Sequence, residues 1–313
     1  MSNPTLTWNL VKDVHELLAY QFMVNALQAG TIVAVMAGVV GWFMVLRRQS
    51  FAGHTIAVMS FPGASGAALA GVPSAVGYYV ACGIAALAIG RSGGAGRRGA
   101  GGGGRGAIAG PGGSGESAAI GVVQVAGLAL GYLFLSLYGG VFEELQTLLF
   151  GTFLGIDRNE VLTLGIVAVV VLTVLAVAGR PLLLATLDPE VARARGVPVR
   201  ALDIGFLLVL GLAVAATSQI TGALLVFALL VAPAAAAQTL TPRPGLSLLL
   251  SVVFALLVMW LGLAVSYFSI YPLGFFITSF GFVLYVVAKL VRHVAAWVKR
   301  DARPREPRAA AVA

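Results

Sequence analysis

The sequence is poor in charge, in cysteine and in lysine, and each shortage removes a class of protein. Only 10% of its 313 residues are charged, against about 25% in a soluble globular domain, so a soluble fold is excluded. A single cysteine, Cys82, lies inside an apolar run; this rules out a disulfide framework and leaves the redox compartment open. None of the three lysines, Lys12, Lys289 and Lys299, follows a glycine. The chain therefore has no Gly-Lys-Ser/Thr phosphate loop and is not itself a P-loop ATPase. Nor does a Ser/His, Asp/Asp or His-Glu-x-x-His constellation fall within the apolar runs, which argues against intramembrane catalysis.

What is present is apolar. Hydrophobic residues make up 59% of the chain and its mean hydropathy is +0.96. Several runs reach the ~20 residues that an α-helix needs to cross a bilayer. Forty glycines suit helices that must approach closely where lipid supplies no hydrophobic drive between them. The class is an all-α, polytopic membrane helix bundle. The N-terminus lacks the short apolar core and small-residue cleavage site of a signal peptide, so its first run is expected to be retained as a span.

The net charge of +8 would suggest nucleic acid or acidic lipid if it formed a patch. Instead the arginines fall between apolar runs, so no nucleic-acid partner is expected and the charge reads as topology. About nine transmembrane helices are expected, near 22–46, 54–71, 73–90, 117–138, 160–179, 201–218, 220–238, 246–268 and 272–292. The breaks at Arg47–Arg48, at 91–105, from Arg180 to Arg200, at Arg243 and after Arg292 are basic. Those around Val72, Gly139–Gly140, Gln219 and Tyr271 are not. The alternation places the N-terminus outside and the C-terminus in the cytoplasm. The chain then divides into an extracytoplasmic segment 1–21, a transmembrane domain 22–295 and a basic cytoplasmic tail 296–313. The segment 143–156 is too short to cross and is expected to be interfacial or re-entrant. The low-complexity Gly/Arg-rich stretch 91–116 reads as a flexible cytoplasmic loop.

Within the basic stretch 187–200, "LDPEVARARGVPVR", Asp188 suits an N-cap, Pro189 the first helical turn and Glu190 the positive helix end. Arg193 and Arg195 suit its negative end, and Gly196 its stop. A helix of about two turns is too short to stand alone in water. It is either a capped connector or a docking element.

Taken together, four stretches resemble the permease subunits of zinc/manganese/iron-type ABC importers. They are "LRRQSFAGHTIAVMSFPGASGAALAG", "ESAAIGVVQVAGLALG", "LDPEVARARGVPVRALD" and "SQITGALLVFALLVAPAAAA", in order along 20–295. The resemblance implies a multi-pass permease of a bacterial cytoplasmic membrane, working as a pair of copies. A cytoplasmic ABC ATPase would dock on Asp188, Pro189, Glu190, Arg193 and Gly196. An extracytoplasmic binding protein would deliver the cargo, a divalent metal with manganese or zinc foremost. The chain would bind no cofactor itself, ATP acting through the partner subunit. The same machinery with a chelate or non-metal cargo, or a non-transporting anchor, are the alternatives.

In the family's pattern an acidic residue after glycine and a histidine four positions on share one helix face. Here those positions are His54 and Val58, and the preceding serine is Ala57. His54 can still ligate a borderline metal; Val58 cannot. His54 and Ser60 are the candidate substrate-pathway residues, with His54 the metal ligand. The competing reading makes His54 a polar residue at a helix end, and Met59 a packing residue. So soon after Arg47–Arg48, His54 should lie toward the cytoplasm unless its helix is tilted or re-entrant.

Overall fold

A computed structural model of the chain describes residues 19–99, 114–139, 148–151, 156–223, 225–269 and 271–301. Among the described residues there are ten helices and no strand, as an apolar solvent demands of a backbone that must satisfy its own hydrogen bonds. They are α1 (Gln21–Leu46), α2 (Ser50–Leu69), α3 (Ser74–Gly99), α4 (Ser114–Tyr138), α5 (Arg158–Leu187), α6 (Pro189–Ala194), α7 (Val199–Thr221), α8 (Val226–Leu240), α9 (Pro244–Tyr267) and α10 (Leu273–Asp301).

Seven of them, all but α2, α6 and α8, are long and apolar enough to cross a membrane. The fold is thus a polytopic helical bundle, with seven of the nine expected spans meeting both criteria. In α2 the histidine, serines, proline and glycines dilute the apolar residues. At 15 residues, α8 is about 22 Å long, short of a ~30 Å hydrocarbon core. Both are internal: α2 packs on α3, α4 and α7, and α8 on α1, α9 and α10. The most enclosed helix is α1, held between α8 and α9 on one side and α5 and α7 on the other. Its polar contacts include Trp42 Nε1 donating to Ser247 Oγ (3.0 Å), Gln238 Nε2 donating to the Trp42 carbonyl (2.9 Å), and Ser251 Oγ donating to the Gly38 carbonyl (2.7 Å). Such bonds join membrane helices where apolar packing alone discriminates poorly.

Several boundaries differ from expectation. Arg180 does not end α5, which runs through Pro181 to Leu187; Arg180 is exposed and can carry its charge to the edge of the bundle. A capping box on Asp157, completed by Glu160, fixes the other end of α5. Gln219 lies inside α7 and donates to Tyr79 Oη (2.9 Å), the break falling instead at Gly222 with φ +77°. The Gly/Arg-rich stretch is helical at its flanks, up to Gly99 and from Ser114, because extending a helix costs less than nucleating one. Its centre, 100–113, lies outside the described residues, as do the N-terminal segment to residue 18, the tail from 302 and most of 143–156.

The α2–α3 hairpin crosses with backbone against backbone. A Cβ on Gly63 would collide with the Gly77 carbonyl, and one on Gly77 with the Gly63 carbonyl. Gly77→Val should therefore force the pair apart, at the ~1–3 kcal/mol typical of overpacking. The expected outcome is a lower melting temperature of the purified protein in detergent; unchanged melting would show that the crossing is not rigid.

Candidate functional site

The site is built from three pieces: a short helix at one end of the bundle, a buried arginine beneath it, and the histidine-bearing helix α2. At the first of these, Asp188 Oδ1 accepts from the backbone N–H of Glu190 (3.1 Å) and Val191 (3.0 Å), and Pro189 occupies the first helical turn. Gly196, at φ +77°, closes the helix: Val197 N–H donates to the Ala192 carbonyl and Gly196 N–H to the Arg193 carbonyl. One side of α6 is anchored, Ala192 being fully buried against Ala185 and Val199. The other side presents Glu190, Arg193 and Arg195, with Leu187 76% and Val191 40% exposed. A shallow groove of ≈ 570 Å³ runs from Arg193 past Val197 and Pro198 to Arg200 and Ile204. The surface mixes apolar and charged groups around a capped helix, which is what a docking element needs.

Beneath it lies Arg47, whose side chain is 7% exposed. One terminal nitrogen donates to Thr186 Oγ1 of α5 (3.2 Å), and the other pairs with the Asp203 carboxylate of α7. The guanidinium also stands 5.1 Å over the Phe206 ring, a cation–π contact strengthened by the lack of water. Sequence reasoning assigned Arg47 only to topology. The pair is separated by 156 positions, so no local pattern announces it.

The turn after Arg47 is a Schellman motif with an arginine where glycine is usual: Arg48 has φ +57°, its N–H donates to the Val45 carbonyl, and Gln49 N–H donates to the Met44 carbonyl. It delivers α2 into the bundle. A Cβ on Gly53 would lie 3.7 Å from Leu210 Cδ2, and Leu210 is the middle residue of α7. Seven residues separate Leu210 from Asp203, about 10 Å along α7. The same Cβ would strike Met44 Sδ, near the end of α1, so the first turn of α2 packs between the last turns of α1 and Leu210 of α7. The His54 ring meets Phe227 of α8 at 4.9 Å and 60°, and its Nδ1 is buried with no hydrogen-bond partner.

His54 and Ser60 are not brought together. They are six residues apart on one helix, about 9 Å along its axis and on different faces. Ser60 Oγ is fully buried and donates to the Ala57 carbonyl of its own helix (2.6 Å). Ala57 and Val58 are buried, and Met59 packs over Gly127 of α4. Among the described residues no group of three or more His, Cys, Asp or Glu side chains is placed to hold a metal ion. What this part of the bundle offers is one imidazole, its ring against Phe227 in the first turn of the short α8.

That start is a second discontinuity. Ala223 N–H donates to the Leu148 carbonyl (3.1 Å), and any side chain at Gly222 would strike Gly151 and Leu149. The segment 148–151 thus closes on the break between α7 and α8. Broken helices within a membrane are tolerated where they line a cavity or are buried in protein.

Comparison with known proteins gives a consistent result. The ABC 3 transport family matches residues 19–92 and 113–292. The manganese transport system membrane protein MntC of Halalkalibacterium halodurans is 33% identical over 263 residues, 84% of this chain and 83% of that one. A probable iron transport system membrane protein of Haemophilus influenzae is 27% identical over 252 residues, 80% of this chain and 87% of that one. Among solved structures, PsaBC from Streptococcus pneumoniae in complex with Fab has a TM-score of 0.78 at 23% identity. It covers 93% of this chain and 99% of that one, a likeness of fold.

Removing the cap tests how α6 is held. Asp188→Ala should cost about 1 kcal/mol and speed amide hydrogen exchange across 189–194 while leaving α5 and α7 protected. Exchange unchanged in that segment would mean that packing of Ala192 alone sustains the helix.

Proposed function

Because the chain belongs to the ABC 3 transport family, we propose that it is the membrane permease of a binding-protein-dependent importer that carries a divalent metal ion, manganese foremost. The observation that supports manganese is the 33% identity to a protein named for manganese transport over most of both chains. Transport needs transient binding rather than a closed cage. One half-buried imidazole per chain, its ring against Phe227 at the start of α8, suits that demand. Iron is the second reading, supported by the relative named for iron transport; Val58 and Ala57, standing where the resemblance leads one to expect a histidine and a serine, favour instead the same machinery with a chelate or non-metal cargo.

In this reading every helix except α6 crosses the cytoplasmic membrane of a bacterium, with the N-terminus outside and the basic breaks and C-terminus in the cytoplasm. A second permease subunit completes the pathway, and an extracytoplasmic binding protein supplies the ion. Two cytoplasmic ATPases engage α6 through Glu190, Val191 and Arg193. Binding of ATP then shifts the pair of permeases between two packings, the signal entering through α6. The chain itself catalyses no bond-making step.

Two outcomes are expected. Deleting the chain should abolish uptake of labelled manganese, and His54→Ala should cut it sharply at unchanged protein level; uptake that survives deletion would remove manganese as the cargo. Replacing Glu190 and Arg193 together with alanine should leave the protein in the membrane but stop uptake, because the ATPase no longer engages. Undiminished uptake in that double variant would take α6 out of the mechanism.

A further inference from the structure

We propose that Arg47 is the positioning residue that links the docking helix to the substrate helix, its forked side chain tying both flanks of α6 to the elbow that carries His54. This rests on α6 being the ATPase contact. Thr186 lies two residues before the cap of α6, at the end of α5, and Asp203 lies in the second turn of α7. Arg47 holds both at once, through different nitrogens. Only a planar fork does this; a lysine ammonium on the same stem has no second arm at fixed spacing. Movement of α6 is inherited by Ala185 and Val199, on which it packs, and so by the residues beside them that Arg47 grips.

On its other side Arg47 is the C-cap of α1, one residue before the left-handed Arg48. The hydrogen bonds from Arg48 to Val45, Gln49 to Met44 and Gly53 to Gln49 make the elbow a single hydrogen-bonded unit. A displacement of the guanidinium is therefore delivered to the first turn of α2, where His54 sits.

The elbow also carries the sign of a second arrangement. Among the described residues, the buried side-chain nitrogens and oxygens without a hydrogen-bond partner are Arg47 Nε, Gln49 Oε1 and His54 Nδ1. All three fall within eight consecutive residues. Buried polar groups are otherwise nearly always satisfied, and a non-glycine residue at positive φ adds strain at the same place. The described packing leaves these three groups unsatisfied, and the proposal is that a shift which repacks Arg47 re-pairs them. Such a second arrangement is what a coupling path requires.

The test uses the assembled transporter in proteoliposomes, with its ATPase and its manganese-loaded binding protein. Arg47→Lys keeps the charge and loses the fork, and Thr186→Val removes one arm with little change of volume. Both are milder than Arg47→Ala, which removes the guanidinium outright and risks misfolding. The account expects each variant to retain the ATPase at wild-type stoichiometry and to hydrolyse ATP, while manganese moved per ATP falls at least about fivefold, the lower range of a site-to-site coupling. Wild-type transport per ATP in both variants would overturn the linkage. So would loss of uptake strictly in step with loss of ATPase retention, since Arg47 would then only hold the bundle together. If the wild-type chain retains no ATPase, the docking reading fails, and the linkage fails with it.

Discussion

The ion pair between the buried Arg47 side chain and the half-buried Asp203 carboxylate is the contact on which the rest of the arrangement depends. A charge in a membrane bundle is costly unless paired, and Arg47 is paired, hydrogen-bonded to Thr186 and stacked on Phe206 at once. Three helices that are distant in sequence are thereby fixed at one level: the end of α1, the end of α5 and the start of α7. The elbow that follows is part-buried, with Arg48 and Phe51 exposed. Beyond it α2 enters the bundle, Gly53 and Thr55 to Val58 being buried.

The same economy of space governs the opposite side of α2. Gly63 and Gly77 let α2 and α3 touch along their backbones, and Gln124 Nε2 donates to Thr55 Oγ1 (2.7 Å), tying α4 to α2 one residue after His54. With α3, α4 and α7 around it, α2 needs less apolar length than a lipid-facing helix. The short α8 is tolerable for the same reason, its start covered by 148–151. Two helices that look too polar or too short to span are the two that meet at His54 and Phe227.

Much of this was legible in the sequence where the physics is local. Asp188, Pro189 and Gly196 could be placed because capping depends on a few adjacent residues. The polytopic class followed from run length and the scarcity of charge. The Schellman turn at Arg48 escaped notice because arginine is an unusual residue there. The partners of Arg47 escaped it because Asp203 and Thr186 are brought near only by the packing of three helices. The surroundings of His54 were not legible either, because Phe227 reaches it from a helix distant in sequence. Ser60 was paired with His54 on chemical type, whereas its hydroxyl is occupied by its own helix.

The most direct measurement is the depth of the first turn of α2. A spin label at position 54, in a Cys82→Ser background and in lipid bilayers, reports its exposure to oxygen against a water-soluble nickel chelate. Packing of the first turn of α2 against Met44 and Leu210 predicts strong relaxation by oxygen and little by nickel, relative to a label at position 200. Equal nickel accessibility at the two positions would place His54 at the membrane surface and contradict the entry of α2 into the bundle.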